Sequence, residues 1–362
     1  MKGKFKILLL LLLPVMAFGK KGDSEFKRVI SKDYANGSNS VLSISNKYGK
    51  IIIHTWKQNH VKATITVTGF GKNASEAQNS ANMVDIDESN ANGEISLQTS
   101  YHPLGSTGRL FNWGAKRDSK DYVNIDYEVY VPEDLRKLSL DNSFGDILAD
   151  VLSFPATMGL NYCTYDIKEV QKSLTLGLNY CDKGRIGKAD ALTVRANYSN
   201  LKCDNIGSLT TQSNYSEYEL GIVGSLDSKS NYDDYKVAKV GALNISCNYS
   251  DFNIGELQAE LNARLVYGDL KVKSIGNSFK GGRIGLTYAD LKLQGMPSRI
   301  GLQFKIILHN GDVHNGGLAM KSESSIKKSS NVTYTAISAG GNDQSPSLVI
   351  NGTYSDVSFS TN

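Results

Sequence analysis

The chain has 362 residues, of which 40% are apolar and 9% aromatic, with a formal charge of +4. That is enough apolar content for a large core, and too little positive charge to expect nucleic acid as a partner. The four cysteines show no metal-site spacing, and the five histidines, His54, His60, His102, His309 and His314, show none either.

The first residues read as a secretory signal peptide. Lys2, Lys4 and Lys6 precede a mainly apolar run from Ile7 to Phe18, and Ala17-Phe18-Gly19 offers the small residues a signal peptidase requires. The run is short for a membrane span. Cleavage near Gly19 removes three lysines and lowers the charge from +4 to +1. No later stretch combines the length and apolarity of a transmembrane segment. The expectation is an extracytoplasmic protein, periplasmic or at the cell surface.

Residues 20–135 are expected to form an irregular N-terminal β region. Ile51 to Trp56, Val61 to Gly69 and Tyr122 to Val131 alternate as strands do, the last stopped by Pro132. Asn73, followed three residues later by Glu76, predicts the start of one short helix running to about Ala81. Residues 101–120, glycine-rich and polar, read as an exposed loop. This region is expected to run directly into the repeats that begin at residue 136 and to cap them.

From 136 to 362 the chain repeats. Asn161-Tyr162, Asn179-Tyr180, Asn197-Tyr198, Asn214-Tyr215, Asn231-Tyr232 and Asn248-Tyr249 recur every 17 or 18 residues, and Tyr267 and Tyr288 extend the series. Before each tyrosine, apolar residues alternate, as in Leu192, Val194 and Ala196. After it come two turn-like residues and a second alternating run, as in Phe252 and Ile254. Strand, turn and strand consume the whole period, so each copy must begin over the last. The predicted fold is all-β: a single-chain, right-handed parallel β-solenoid with 17–18-residue rungs. Turns at Tyr48-Gly49, Phe144-Gly145-Asp146, Asn310-Gly311-Asp312 and Tyr354-Ser355-Asp356 extend the pattern to both sides. A barrel of antiparallel hairpins is the competing architecture, but its strands need roughly 9–11 residues.

Register turns like residues into rows. The tyrosines should form one ladder with their hydroxyls toward solvent, and the asparagines a second, amide to amide. Tyr162, Tyr180, Tyr198, Tyr215, Tyr232 and Tyr249 are therefore the candidate ligand-binding residues, although architecture alone also explains them. Two residues past successive tyrosines stand Glu217, Asp234, Asp251, Asp269 and Asp290. Such a row can bind calcium, or serve as ordinary turn acids accepting backbone N–H bonds with lysines nearby. Cys163 and Cys181 would stack about 4.8 Å apart, which allows either a disulfide or two free thiols. Cys203 and Cys247 fall at core-facing phases.

The stretches Ser45-Asn46-Lys47-Tyr48-Gly49-Lys50-Ile51-Ile52-Ile53-His54-Thr55-Trp56 and Asp126-Tyr127-Glu128-Val129-Tyr130-Val131-Pro132, then Leu140-Asp141-Asn142-Ser143-Phe144-Gly145-Asp146, together with the repeats, resemble the bacterial putative-adhesin β-strand-repeat family, related to head-GIN adhesin-like proteins. The resemblance covers most of the chain from about residue 25. It implies interaction at the cell envelope, names no ligand, and carries no catalytic residues. Many copies here place Ser, Asp or Cys after the Asn-Tyr pair where Tyr-Gly-Asp would be expected.

No phosphate loop, nucleophile elbow or Cys–His pairing is present. The expected function is a non-catalytic adhesin-like binding or structural protein of the bacterial envelope, without a cofactor, whose partner is an envelope glycan or a surface protein. The alternative is a β-helical carbohydrate-active enzyme acting on a polysaccharide, which would need convergent acids in a cleft.

Overall fold

The computed structural model describes residues 24–35, 37–102 and 123–361. The signal peptide expected over 1–19 lies outside them, as does the loop expected over 101–120 apart from Tyr101 and His102. The described chain is one helix and a continuous succession of strands joined into a single hydrogen-bonded sheet system. No helix among the described residues is long and apolar enough to cross a membrane.

The repeats pair in parallel with like residues opposite. Asn161 lies against Asn179, Asn179 against Asn197, Asn197 against Asn214, Asn214 against Asn231, and Asn231 against Asn248. Antiparallel hairpins of a barrel cannot produce this register. The period-two alternation explains the rest: every second side chain points inward, and stacking turns these into columns. One column is nearly all leucine, with Leu138, Leu174, Leu192, Leu209, Leu226, Leu243 and Leu261 all buried. Such columns are the stabilising unit, because no rung can bury its inner face by itself.

Each long strand bends where one sheet passes into the other, and the bend is tight. Gly207, Gly224 and Gly241 stack there. A Cβ on Gly224 would meet the carbonyl oxygen of Gly207 at 2.4 Å, and one on Gly241 would meet that of Gly224 at 2.3 Å. The glycines are required by the approach of neighbouring backbones.

The two ends depart from simple succession. At the N-terminal end Val41–Lys47 and Ile51–Trp56 form a rung that lies beside Lys137–Ser143 and Asp146–Leu152, far ahead in sequence. The strands between them leave the stack. Ser24–Ala35 and Val123–Pro132 each pair antiparallel with His60–Gly71 between them, and Val123–Pro132 joins Ile51–Trp56 in parallel. Val84–Ala91 and Glu94–Tyr101 form a hairpin on the other sheet. The expected helix is present as Ala74–Asn82, with the Glu76 amide donating to the Asn73 side chain at 3.0 Å and the Glu76 carboxylate accepting from the Lys72 amide.

At the C-terminal end the last strands do not come last in space. Ser347–Thr353 lies between Gly282–Thr287 and Gln303–His309, parallel to both. The hairpin of Met320–Lys328 and Asn331–Ser338 then pairs antiparallel onto Gln303–His309. Sequence period reports that rungs exist, and says nothing of the order in which near-identical rungs stack.

Replacing Gly224 with alanine should lower the thermal midpoint by several degrees, since overpacking typically costs about 1–3 kcal/mol. Gly285→Ala, where an added Cβ meets nothing within 4 Å, should leave it almost unchanged. Circular-dichroism melts of the two variants check this contrast.

Candidate functional site

The candidate site is built at the turn that closes each rung. In every copy the turn residue has positive φ: +52° at Tyr162, +53° at Tyr180, +50° at Tyr198, +53° at Tyr215, +56° at Tyr232 and +52° at Tyr249. Tyr48, Phe144, Tyr267, Tyr288 and Tyr354 share the conformation. The left-handed turn aims the next-rung carbonyl back at the tyrosine amide. Tyr162 N–H donates to Asn179 O at 2.9 Å, Tyr180 to Asn197 O at 3.0 Å and Tyr198 to Asn214 O at 3.1 Å.

Because all turns share one conformation, their side chains leave in one direction. The rings from Tyr162 to Tyr354 stack face on face, with centroids 4.7–5.1 Å apart and planes within 6° of parallel. Phe144 and Tyr48 continue the row. Eleven rings thus make a ladder in which each tyrosine from 162 to 354 is 46–53% exposed. The Lys47 ammonium sits 4.7 Å over the Tyr48 ring at one end, and His309 meets Tyr354 edge-on at the other. All six predicted tyrosines fall on this one line.

Stacking has a chemical consequence that the residue types do not reveal. Each interior ring has both faces covered by its neighbours, so the ladder presents ring edges and hydroxyls to solvent. A sugar seeking an aromatic face finds none along the interior of the row. The hydroxyls of Tyr162 to Tyr288 make no hydrogen bond to any described residue, whereas Tyr101 donates to Lys47 O at the N-terminal end.

Beside the rings runs the amide ladder. Asn179 Nδ2 donates to Asn161 Oδ1 at 3.0 Å, and the same bond repeats through Asn197, Asn214, Asn231 and Asn248 at 2.9–3.2 Å. A third row lies behind the tyrosines. Ser199, Ser216 and Ser250 each accept the backbone N–H of the preceding rung and donate to the carbonyl two residues back. Cys163 and Cys181 occupy the same row as buried free thiols pointing at backbone carbonyls. Burial pushes both thiols up, and pushes Cys203 and Cys247 up to about 12, so all four favour the neutral thiol.

Asp233 breaks this row. It stands where the neighbouring rungs have serine, is buried, accepts from the Ser216 amide at 2.8 Å and from Ser213 Oγ at 2.6 Å, and burial pushes its carboxyl up to about 6. It belongs to an internal polar patch. Tyr235 OH lies 2.8 Å from Thr211 Oγ and accepts from Ser228 Oγ at 3.0 Å. The rings of Tyr218, Tyr235 and Phe252 stack inside the core at 4.4–4.5 Å. Small polar residues at 211, 213, 228 and 230, where most other rungs carry apolar residues, leave room for the inward rings and give partners to the Tyr235 hydroxyl, while the buried Tyr218 hydroxyl has none among the described residues.

The predicted acid row is also in line, and one oxygen of Glu217, Asp251, Asp269 and Asp290 is engaged, whereas the Asp234 carboxylate makes no such bond to a described residue. Asp251 Oδ1 accepts from the Asp269 amide at 2.9 Å, Asp269 Oδ1 from Asp290 at 3.0 Å, Asp290 Oδ1 from Asp356 at 2.9 Å and Asp356 Oδ1 from Asp312 at 2.8 Å. Glu217 is paired with Lys236 at 3.2 Å. These bonds stitch rung to rung and explain why carboxylates can stand in a row. Among the described residues no group of three or more His, Cys, Asp or Glu is arranged to hold a metal ion.

A second cluster was not foreseen. On the outer face of the N-terminal sheet the rings of His54, Tyr130, Trp56 and His60 contact one another in that order at 4.6–5.1 Å. His54 Nδ1 lies 2.8 Å from Asp150, and His60 Nδ1 lies 2.6 Å from Asp33. His54, Trp56 and His60 are close in sequence, and long-range strand pairing adds Tyr130 to them.

No family model and no curated protein matches the chain. Solved structures do. The chain is similar to a "putative cell adhesion protein" from Clostridium sporogenes, with 12% identity, 93% of this chain and 99% of that one covered, and a TM-score of 0.20. It is similar to a "putative adhesin" from Bacteroides fragilis, with 8% identity, 92% and 97% coverage, and a TM-score of 0.27. It is also similar to a "putative lipid binding protein" from Parabacteroides distasonis, with 9% identity, 91% and 96% coverage, and a TM-score of 0.29. TM-scores this low carry no argument about fold, family or activity.

The Asp233 environment makes a signed prediction. A carboxyl whose folded value is raised contributes stability below its unfolded value near 4, and that contribution is lost as pH rises through about 6. Asp233→Ser, the residue of the neighbouring rungs, should therefore be more stable than the native chain at pH 7.5, on the order of 2 kcal/mol. The gap should close as pH falls to 4. Melts of both chains across this range give the answer.

Proposed function

We propose that this chain is a non-catalytic, adhesin-like binding protein acting outside the cytoplasm at the bacterial envelope, and that the tyrosine ladder is its contact edge. The reading takes the parallel stack as a right-handed solenoid, the usual sense for parallel crossovers.

One observation carries it. The rung turn demands positive φ, a conformation that glycine or asparagine adopts cheaply and that costs a bulky residue roughly 1–2 kcal/mol. Asn310 fills one such turn. Tyrosine fills ten others, at Tyr48 and in the series from Tyr162 to Tyr354, and leaves its ring partly exposed at each. A turn with no task beyond turning would not be expected to favour so costly a residue so uniformly. Ring stacking at about 0.5–1.5 kcal/mol per pair offsets the cost, so the rows can be kept for what they present. The edge is long, straight and periodic, which suits an extended partner better than a small molecule.

The two opposed energies set up the test. Tyr198→Gly/Tyr215→Gly/Tyr232→Gly relieves three strained turns while removing three rings, so its melting midpoint should lie within a few degrees of the native value. Fluorescently labelled native chain should bind the source bacterium's cells saturably, and the triple variant at least tenfold more weakly. Equal binding by a folded variant would remove the ladder from the contact surface.

A further inference from the structure

We propose that the partner of this edge is a second copy of the same chain, ladder against ladder, so that the protein makes like-to-like contacts. The inference rests on the preceding reading of the ladder as a contact edge, and it names the occupant.

The first ground is what the rings leave open. Their faces are consumed by one another, so a partner meets edges and hydroxyls. Each hydroxyl is both donor and acceptor, and those from Tyr162 to Tyr288 have no bond to a described residue. A row of free groups with this double capacity is satisfied along its length by another row that has the same capacity.

The second ground is spacing. The hydroxyl-bearing rings repeat every 4.7–5.1 Å. An extended peptide lying along the row advances about 3.3 Å per residue and comes level with a ring only at every second rung, whereas parallel β-stacks repeat at about 4.8 Å and come level at every rung. A second copy matches the period over the full length, because the period is its own.

The third ground is charge. The edge itself consists of tyrosines and asparagines, which carry none, so two copies can approach without repulsion at the centre. The flanks differ. The amide row Asn161 to Asn248 ends the strands of one sheet, and the acid row Glu217, Asp234, Asp251, Asp269 and Asp290 begins those of the other. Rotation about the ladder axis brings two copies together parallel and in register. It sets Glu217, Asp234 and Asp251 of each on the flank beside Asn214, Asn231 and Asn248 of its mate, so that spare asparagine N–H groups face spare carboxylate oxygens on three rungs; Asp269 and Asp290 fall beside Val266 and Thr287. The geometry favours this parallel pair, because antiparallel docking loses those three matches.

Size sets the strength. Ten steps near 4.9 Å make an edge about 50 Å long, which at a ring's width of about 7 Å covers roughly 700 Å² over both copies, below the size of stable specific interfaces. Such a contact is weak singly and effective when many copies are displayed together.

Beads coated densely with the purified chain in two colours test this. Native beads should form mixed-colour clusters, and sedimentation of the free chain should show a dimer that grows with concentration. Beads carrying the Tyr198→Gly/Tyr215→Gly/Tyr232→Gly chain should stay dispersed and stay out of native clusters. The Tyr→Phe triple at the same positions, which keeps rings and loses hydroxyls, should cluster at least tenfold less. Native beads that remain dispersed at every density, or glycine-triple beads that cluster like native ones, would overturn the proposal. If native beads stay dispersed while cell binding still depends on the three tyrosines, like-to-like docking fails and the contact edge stands. If neither clustering nor cell binding depends on them, both readings fail.

Discussion

One hydrogen bond, repeated, organises this molecule: the amide of each turn residue donates to the carbonyl that precedes the next turn, one rung on. The bond requires the turn residue to sit at positive φ, and it forms from Tyr162 through Tyr354 with little variation. Once the turns coincide, the strands on either side are locked in parallel register, and every other row follows. The leucine column fills the core, the asparagine amides chain together, the serines close the turns from behind, and the aspartates hand their oxygens to the next rung's amides. Register in a parallel stack is cheap to keep once set, because a slip of one residue would turn the apolar columns outward.

The ladder shows a balance between backbone and side chain. The left-handed turn penalises tyrosine, and stacking returns a similar energy. Local strain and lateral packing therefore nearly cancel, and the residue choice is left to the properties of the exposed edge. The same stacking that stabilises the rings removes their faces from use. What the surface can recognise is thus decided by packing between rungs rather than by the chemistry of a lone tyrosine. Inside the core the solution differs: Tyr218 and Tyr235 point inward, and threonine and serine replace aliphatic residues around them.

Much of this was legible in the amino-acid order because the fold is periodic. The recurrence of Asn-Tyr gave the strand-turn-strand unit and both ladders, and Asn73 with Glu76 marked the helix. The remainder was hidden for physical reasons. Ser347–Thr353 slots between Gly282–Thr287 and Gln303–His309, and equivalent rungs carry no local label for their neighbour. Val41–Trp56 joins the stack across an excursion of eighty residues that pairs with itself. The acids at 251, 269, 290 and 356 fitted turn chemistry best, with calcium as the rival reading, because the spacing is common to both. The atoms show one oxygen of each already given to an amide. The His54–Tyr130–Trp56–His60 cluster had no sequence signature, since Tyr130, the ring between His54 and Trp56, reaches them only through sheet pairing.

The central claim, that the turn tyrosines stand on one line in rung order, is tested most directly by distance measurement along that line. Spin labels placed at 180 and, in turn, at 215, 249, 288 and 354, in a chain whose four buried cysteines are replaced by serine, would be read by pulsed dipolar spectroscopy. The account predicts distances that grow by about 5 Å per rung, with position 354 one step beyond 288 despite their long separation in sequence. Distances that scatter without a common increment, or a label at 354 lying off the line, would contradict it.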